Sequence, residues 1–183
     1  MPDKDYNKKI NSRINYLKNH TINMVITDVD GVLTDGSMYY SENGEFLKSF
    51  NTRDGMGFEL LTLNNIIPVI LTKESSKIVL KRAKKIRVDE THIGIENKLE
   101  KGLEIINKYN ISPRNVAFIG DDINDIPLLG VVGFSCCPLD ADEEVKNKVK
   151  YICKKPGGKG VLREVANMVI LSNNNQNKKK KKT

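Results

Sequence analysis

"MVITDVDGVLTDG", Met24 to Gly36, decides the reading of the chain: a short apolar run passes straight into three aspartates, Asp28, Asp30 and Asp35, within eight positions. An apolar run without polar alternation is the pattern of a strand covered on both faces, as in the interior of a parallel sheet. A strand that ends in so much negative charge has three readings. Asp and Gly often make a turn with no chemistry attached, because Asp satisfies local backbone donors and Gly takes positive φ. A calcium loop of the EF-hand type needs an oxygen ligand at its fifth position and glycine at its sixth, where this chain has Val32 and Leu33, so that reading is excluded. The third reading, a carboxylate cluster that holds a metal and attacks a substrate, requires partners elsewhere in the chain.

Outward from this stretch, short β-rich runs alternate with helical patterns. "PVILT", "NVAFIG", "VVGFSC" and "YIC" read as further strands, with helices near 54–64, 75–85, 97–109, 124–130, 140–149 and 160–171. Alternation at that spacing predicts right-handed βαβ units, hence a doubly wound, Rossmann-like α/β domain whose parallel sheet has helices on both faces. One segment breaks the pattern. "SMYYSENGEFLKSF", Ser37 to Phe50, has two strand-like arms around Asn43-Gly44, the strongest short hairpin signal. A β-hairpin is therefore inserted after the first strand. Ligands of open α/β sheets sit at the carboxyl ends of the strands, and the hairpin projects from that edge, placed to cover a site or to meet another subunit.

A length of 183 residues suits one domain with a single core. Tyr6, Ile10, Ile14 and Leu17 recur at helical spacing, so residues 1–21 read as an amphipathic helix packing on the body, 22–171 as the α/β domain, and 172–183 as a disordered Asn/Lys-rich tail. The net charge is +7, but Lys178 to Lys182 supply five of those charges. The body is close to neutral, which is not the footprint of a nucleic-acid-binding surface; for the lysine run itself a solvated end is the reading, and an anionic membrane or nucleic acid the alternative. Cys136, Cys137 and Cys153 are odd in number and lack CxxC spacing or a nearby His, so they read as reduced core thiols rather than a zinc site. No apolar run reaches the roughly 20 residues of a membrane span, and the first 20 residues lack the apolar stretch of a signal peptide. The expectation is a cytoplasmic protein without a membrane partner.

The predicted strand ends collect the chemistry. The first delivers Asp28 and Asp30, "VILTKES" delivers Thr72, "GDDIND" delivers Asp121, Asp122 and Asp125, and Lys98 opens a helix in "IENKLE". Alone, Thr72 is a strand-end hydroxyl, Lys98 a surface charge and "GDD" a turn with helix caps. Together they place five carboxylates, a hydroxyl and an ammonium at one sheet end. Converging carboxylates repel and raise one another's pKa unless a cation is present. Mg²⁺ suits such a set, because it takes one or two carboxylates plus substrate phosphate and keeps several waters. A screened carboxylate is also a competent nucleophile that forms an aspartyl-phosphate, with Lys and Thr holding the transferring phosphoryl oxygens.

"DVDGV", Thr72, Lys98 and "GDDIND" resemble the four ordered motifs of the haloacid dehalogenase superfamily of phosphotransferases. Over residues 22–171, "DGVLTDGSMYYSENGEFLKSFNTRDGMG", "IGDDINDIPLL", "VGFSCCPLDA" and "PGGKGVLREV" resemble its capless branch, typified by 3-deoxy-D-manno-octulosonate 8-phosphate phosphatase. The resemblance implies a domain without a cap and a Mg²⁺-dependent phosphatase of a 2-keto-3-deoxy sugar acid phosphate, first of all the octulosonate 8-phosphate. The branch also implies two alternatives, a phosphatase of N-acylneuraminate (nonulosonate) 9-phosphate and a non-catalytic oligomerisation module of the kind fused to CMP-sialate synthetases. Carried over by position, it implies Asp28 as nucleophile and Asp30 as general acid/base, which also offers its backbone carbonyl to the metal. It further implies Asp121 as metal ligand, Asp122 and Asp125 around the metal waters, and Thr72 and Lys98 on the phosphoryl group. Arg53, Asp54, Lys73 and Lys159 would face the sugar acid, and the hairpin would close the site in a homo-oligomer, a tetramer as in the family.

Two departures matter. "PGGKG", Pro156 to Gly160, is not a nucleotide P-loop, because Gly160 and Cys153 stand where that motif needs Ser or Thr and Gly; Lys159 takes the place of the family's usual Arg, as a point charge without the planar fork. After Thr72, Lys73-Glu74 replaces the usual Gly-Arg. Glu74 puts a negative charge where a sugar carboxylate is expected, which bears on substrate choice rather than on catalysis.

Overall fold

The computed structural model describes residues 16–180. Six parallel strands form the sheet: β1 (Met24–Thr27), β4 (Ile67–Leu71), β5 (Glu90–His92), β6 (Val116–Ile119), β7 (Phe134–Cys137) and β8 (Tyr151–Ile152), in the order β5-β4-β1-β6-β7-β8. Side chains of a strand alternate between faces, and β1 shows it: Val25 joins one buried cluster, Met24 and Ile26 the other. Helices α1 (Thr52–Leu63), α2 (Lys77–Lys85) and α6 (Val161–Lys180) cover the first face through Phe58, Leu61, Val79, Ala83 and Val165. The second is covered by α3 (Lys98–Lys108), α4 (Ile126–Val131) and α5 (Glu143–Lys148), through Ile105, Ile106, Leu128, Leu129 and Val145. The fold is the doubly wound α/β domain without a cap. Five of the strands follow apolar runs of the sequence; β5 does not. "ETH" is a three-residue edge strand with one neighbour, so it needs no apolar run.

The chain runs from β1 outward to β4 and β5, then returns to lay β6 on the other side of β1. The crevice of such a sheet lies where the strand order reverses, here at the carboxyl ends of β1 and β6. Between β1 and α1 stands the inserted hairpin, β2 (Tyr39–Ser41) paired with β3 (Gly44–Leu47). Gly44, at φ +101°, takes the backbone conformation that ends its tight turn. Met38, Tyr39, Tyr40, Phe46 and Leu47 on it are exposed.

At the termini the reading needs one correction. Residues 16–19 are helical and Leu17 is buried, while Tyr6, Ile10 and Ile14 of the expected leader helix lie outside the described residues. The segment 172–183, expected to be disordered, continues α6 as far as Lys180. Its polar side chains are used: Gln176 Nε2 donates to the carbonyls of Leu17 and His20 at 2.6 and 2.9 Å, and Asn173 both accepts from and donates to the backbone of Ile22. They supply partners to the backbone of Leu17, His20 and Ile22, whose polar groups must be satisfied where the chain packs. Among the described residues, no helix is long and apolar enough to cross a membrane.

Candidate active site

The loop after β1 is wound around one carbonyl. Val29 O accepts the backbone N–H groups of Val32, Leu33 and Thr34 at 3.2, 2.8 and 3.0 Å. Asp28 is held at its root, its N–H donating to Ile119 O at 2.9 Å and its Oδ1 accepting from Val29 N at 2.7 Å. Gly31, at φ +78°, faces the loop after β6 so closely that a Cβ there would lie 1.9 Å from Asp121 Oδ2. Only glycine lets these two loops meet.

After β6, Asp125 organises the turn. Its Oδ2 accepts the backbone N–H groups of Asp121 and Asp122 at 3.0 and 3.4 Å. Asp122 is exposed, and its Oδ1 caps the 3₁₀ turn at Ile123 N. Lys98, the first residue of α3, crosses under both loops: its Nζ lies 2.7 Å from Asp28 Oδ2 and 2.7 Å from Asp125 Oδ1. The N-cap Asn97, which accepts from Glu100 N at 3.1 Å, fixes where that helix starts. Thr72 is buried at the end of β4, in the strand beside β1 whose Ile70 pairs with Thr27. Its hydroxyl accepts from Glu74 N at 3.3 Å.

Charge does not balance here. Asp28, Asp121 and Asp125 can each bring an oxygen within 4.8 Å of the others, and Lys98 bridges two of them, Asp28 and Asp125. Burial pushes the Asp28 carboxyl up to about 7, helped by the charge of Asp125 and opposed by Lys98. Burial likewise raises Asp121 to about 8, with Asp28 and Asp125 adding to it. Lys98 moves up despite burial, because Asp28 and Asp125 favour its charged form. Both oxygens of Asp125 are taken by donors, whereas Asp121 Oδ1 is buried with no hydrogen-bond partner among the described residues. A hard divalent cation fits this set: it would neutralise the excess charge and complete Asp121, with Asp125 holding the loop rather than reaching the ion.

The match of a family model for haloacid dehalogenase-like hydrolases to residues 4–165 agrees with this geometry. The chain belongs to the haloacid dehalogenase-like hydrolases. Among these hydrolases, the 3-deoxy-D-manno-octulosonate 8-phosphate phosphatase of Escherichia coli K12 is 37% identical over 155 residues, 85% of this chain and 82% of that protein. The phosphatase of Moraxella catarrhalis, solved with magnesium ion, phosphate ion and the octulosonate, superposes with a TM-score of 0.84 at 32% identity, covering 91% of this chain and 95% of that one. The cobalt-bound phosphatase of Haemophilus influenzae gives a TM-score of 0.83 at 35% identity, covering 87% and 92%. This chain is thus a phosphoric monoester hydrolase of the capless octulosonate phosphatase family, with a carboxylate group suited to a metal.

The structure distributes the sequence candidates unequally. Asp28, Lys98, Asp121 and Asp125 touch or face one another; Asp30 stands beside them, but its carboxylate is not in the group of three and pairs instead with Lys48. Asp54 stands outside the group of three. It is buried, and its Oδ1 accepts from Arg163 N at 2.9 Å at the start of α6; burial raises its pKa to about 6, opposed by the backbone amides of Arg163, Gly160 and Leu162. Oδ1 thus caps a helix, while Oδ2 is buried with no hydrogen-bond partner among the described residues. Lys73 is exposed and lies 3.5 Å from the exposed Glu96, while Arg53 and Lys159 line one surface groove with Lys154, Lys155 and Arg163. The sequence reading missed Lys48, because a lysine in a hairpin reads as a solvated charge, and Gly31, whose need appears only when two distant loops meet.

Proposed function

We propose that the protein hydrolyses the phosphate monoester of a 2-keto-3-deoxy sugar acid, 3-deoxy-D-manno-octulosonate 8-phosphate, with Mg²⁺ as cofactor. The observation that carries this reading is the charge-excess group of Asp28, Asp121 and Asp125 around Lys98, with Asp121 Oδ1 left buried and unpartnered. Asp28, Asp121 and the Asp30 carbonyl would hold the Mg²⁺, which would supply charge neutralisation at the phosphoryl oxygens. An Asp28 carboxylate oxygen attacks phosphorus, and the bond from phosphorus to the sugar oxygen breaks. That oxygen keeps the electron pair and takes a proton from Asp30. Asp30 then accepts a proton from water as the water attacks phosphorus, releasing inorganic phosphate and restoring the Asp28 carboxylate. Lys98 and the Thr72 hydroxyl donate to the transferring phosphoryl group, and Lys98 also favours the ionised form of Asp28.

Glu74 favours a second substrate reading. It is exposed beside the Thr72 hydroxyl that its N–H reaches, and its negative charge suits an N-acylneuraminate 9-phosphate, which carries an amide N–H donor that the octulosonate lacks. The exposed apolar hairpin supports a homo-oligomer, a tetramer, in which Tyr40 and Phe46 become buried. Mg²⁺-dependent phosphate release from the octulosonate 8-phosphate and N-acylneuraminate 9-phosphate, side by side, tests these readings. Preference for the first supports octulosonate chemistry, and preference for the second makes Lys73-Glu74 a specificity element. Release from neither in the presence of metal would favour the non-catalytic oligomerisation module.

A further inference from the structure

The hairpin is built inside out. Its large apolar side chains Met38, Tyr39, Tyr40, Phe46 and Leu47 are exposed, yet Lys48 at the end of its second arm is buried, with no side-chain surface left to water. Burying an ammonium is unfavourable unless it is paired. Lys48 Nζ lies 2.6 Å from Asp30 Oδ1 and 2.6 Å from Glu45 Oε1. Glu45 is fixed in turn, because Ser76 Oγ donates to its Oε2 at 2.6 Å from just before α2. Asp30 Oδ1 also receives the Thr34 hydroxyl at 3.3 Å. Its two oxygens are thus treated differently: Oδ1 holds two donors, and Oδ2 is buried with none among the described residues. Oδ1 is committed to the hairpin and to the loop after β1, while Oδ2 is left for a partner from outside the chain.

We propose that Lys48 is a positioning residue for the reaction: it pins Asp30 through Oδ1, leaving Oδ2 as the oxygen that exchanges a proton with the leaving group, and Glu45 and Ser76 hold Lys48 in place. The proposal rests on the reading of Asp30 as the general acid/base. It makes the hairpin part of the catalytic geometry as well as a surface for other copies, since the arm that exposes Phe46 and Leu47 carries the ammonium that orients Asp30.

The test compares two esters at saturating Mg²⁺. Octulosonate 8-phosphate has an alkyl leaving group that needs a proton, whereas p-nitrophenyl phosphate releases a phenolate that is stable without one. Lys48→Met should lower kcat/KM, which reports the steps up to departure of the leaving group and not the shared hydrolysis of the aspartyl-phosphate, by roughly 10- to 100-fold on the alkyl ester, the scale of a misplaced catalytic group, with a clearly smaller loss on the aryl ester. Lys48→Arg, which restores a cation, should recover most of the alkyl-ester rate. Asp30→Asn should show the same preference for the aryl ester, more strongly. Equal losses on both esters for Lys48→Met, or none, while Asp30→Asn discriminates, would overturn the role of Lys48 and leave that of Asp30 standing. Failure of Asp30→Asn to discriminate would overturn the acid/base reading and the proposal with it. Should Lys48→Met melt early or change particle size, Glu45→Gln, which loosens the ammonium without removing it, carries the same comparison of esters.

Discussion

Glu90 and Asp121 are both partly buried acids in polar clusters of the same sheet, and their carboxyl groups are displaced in opposite directions. At the edge, Glu90 on β5 is met by Lys108, by the Tyr109 hydroxyl at 2.6 Å and by His92 at 3.0 Å. Burial pushes it up, but those three partners outweigh burial and bring it down to about 2. At the crevice, Asp121 shares one lysine with two other carboxylates and moves up to about 8. A cluster with more donors than charge is self-sufficient and serves stability. A cluster with more charge than donors is incomplete, and what completes it comes from outside the chain.

The largest effect that separates the two clusters is expected from Asp28→Asn. Turnover should fall by at least about 1,000-fold, as loss of a covalent nucleophile demands, with the circular dichroism spectrum unchanged; normal phosphate release would refute the role of Asp28. Gly31→Ala comes next, because its Cβ would displace the Asp121 carboxylate 1.9 Å away. Mg²⁺-dependent turnover should drop on the order of 100-fold, together with a weaker response to Mg²⁺ in titrations.

Asp121→Asn should reverse the usual sign of a buried mutation. In the metal-free protein Asp28 and Asp121 bind protons more tightly folded than unfolded, so they subtract stability progressively as pH rises from their ordinary 3.8 through about 7 and about 8. The metal-free variant should therefore melt roughly 3–6 °C above the wild-type protein at pH 8, the gap closing toward pH 4. Mg²⁺ should raise the melting temperature of the wild type and not of the variant. A variant that melts lower at pH 8 would mean that Asp121 is already neutralised within the chain. Glu90→Gln should have the smallest effect: about 1–2 kcal/mol of stability lost at neutral pH, vanishing as pH falls toward 2, with activity within twofold of wild type. A large loss of activity there would break the distinction between the clusters.

Much of the site was legible because its chemistry stands where strands end. Asp28, Thr72 and Asp121 each close an apolar run, and Lys98 opens a helix, so residue type and element boundary agree. β5 was not legible, because a three-residue polar edge strand carries no periodicity. The capping contact of Asp54 was not legible for a related reason: its carboxylate serves the start of a helix 109 residues away in sequence, and that long-range capping leaves no local pattern. Lys48 and Gln176 look like solvated polar residues in the chain, and the contacts that bury or engage them are made only after folding. Composition tells which residues can be solvated, not which of them are used.

The most direct test of the account is to trap the phosphoryl group. The wild-type enzyme is acid-quenched during turnover of octulosonate 8-phosphate or p-nitrophenyl phosphate with Mg²⁺, reduced with borohydride and digested for mass spectrometry. An aspartyl-phosphate at Asp28 should appear as homoserine at position 28, present only when both Mg²⁺ and ester are supplied and absent from Asp28→Asn. Reduction at another aspartate, or none at any position while phosphate is being released, would contradict it.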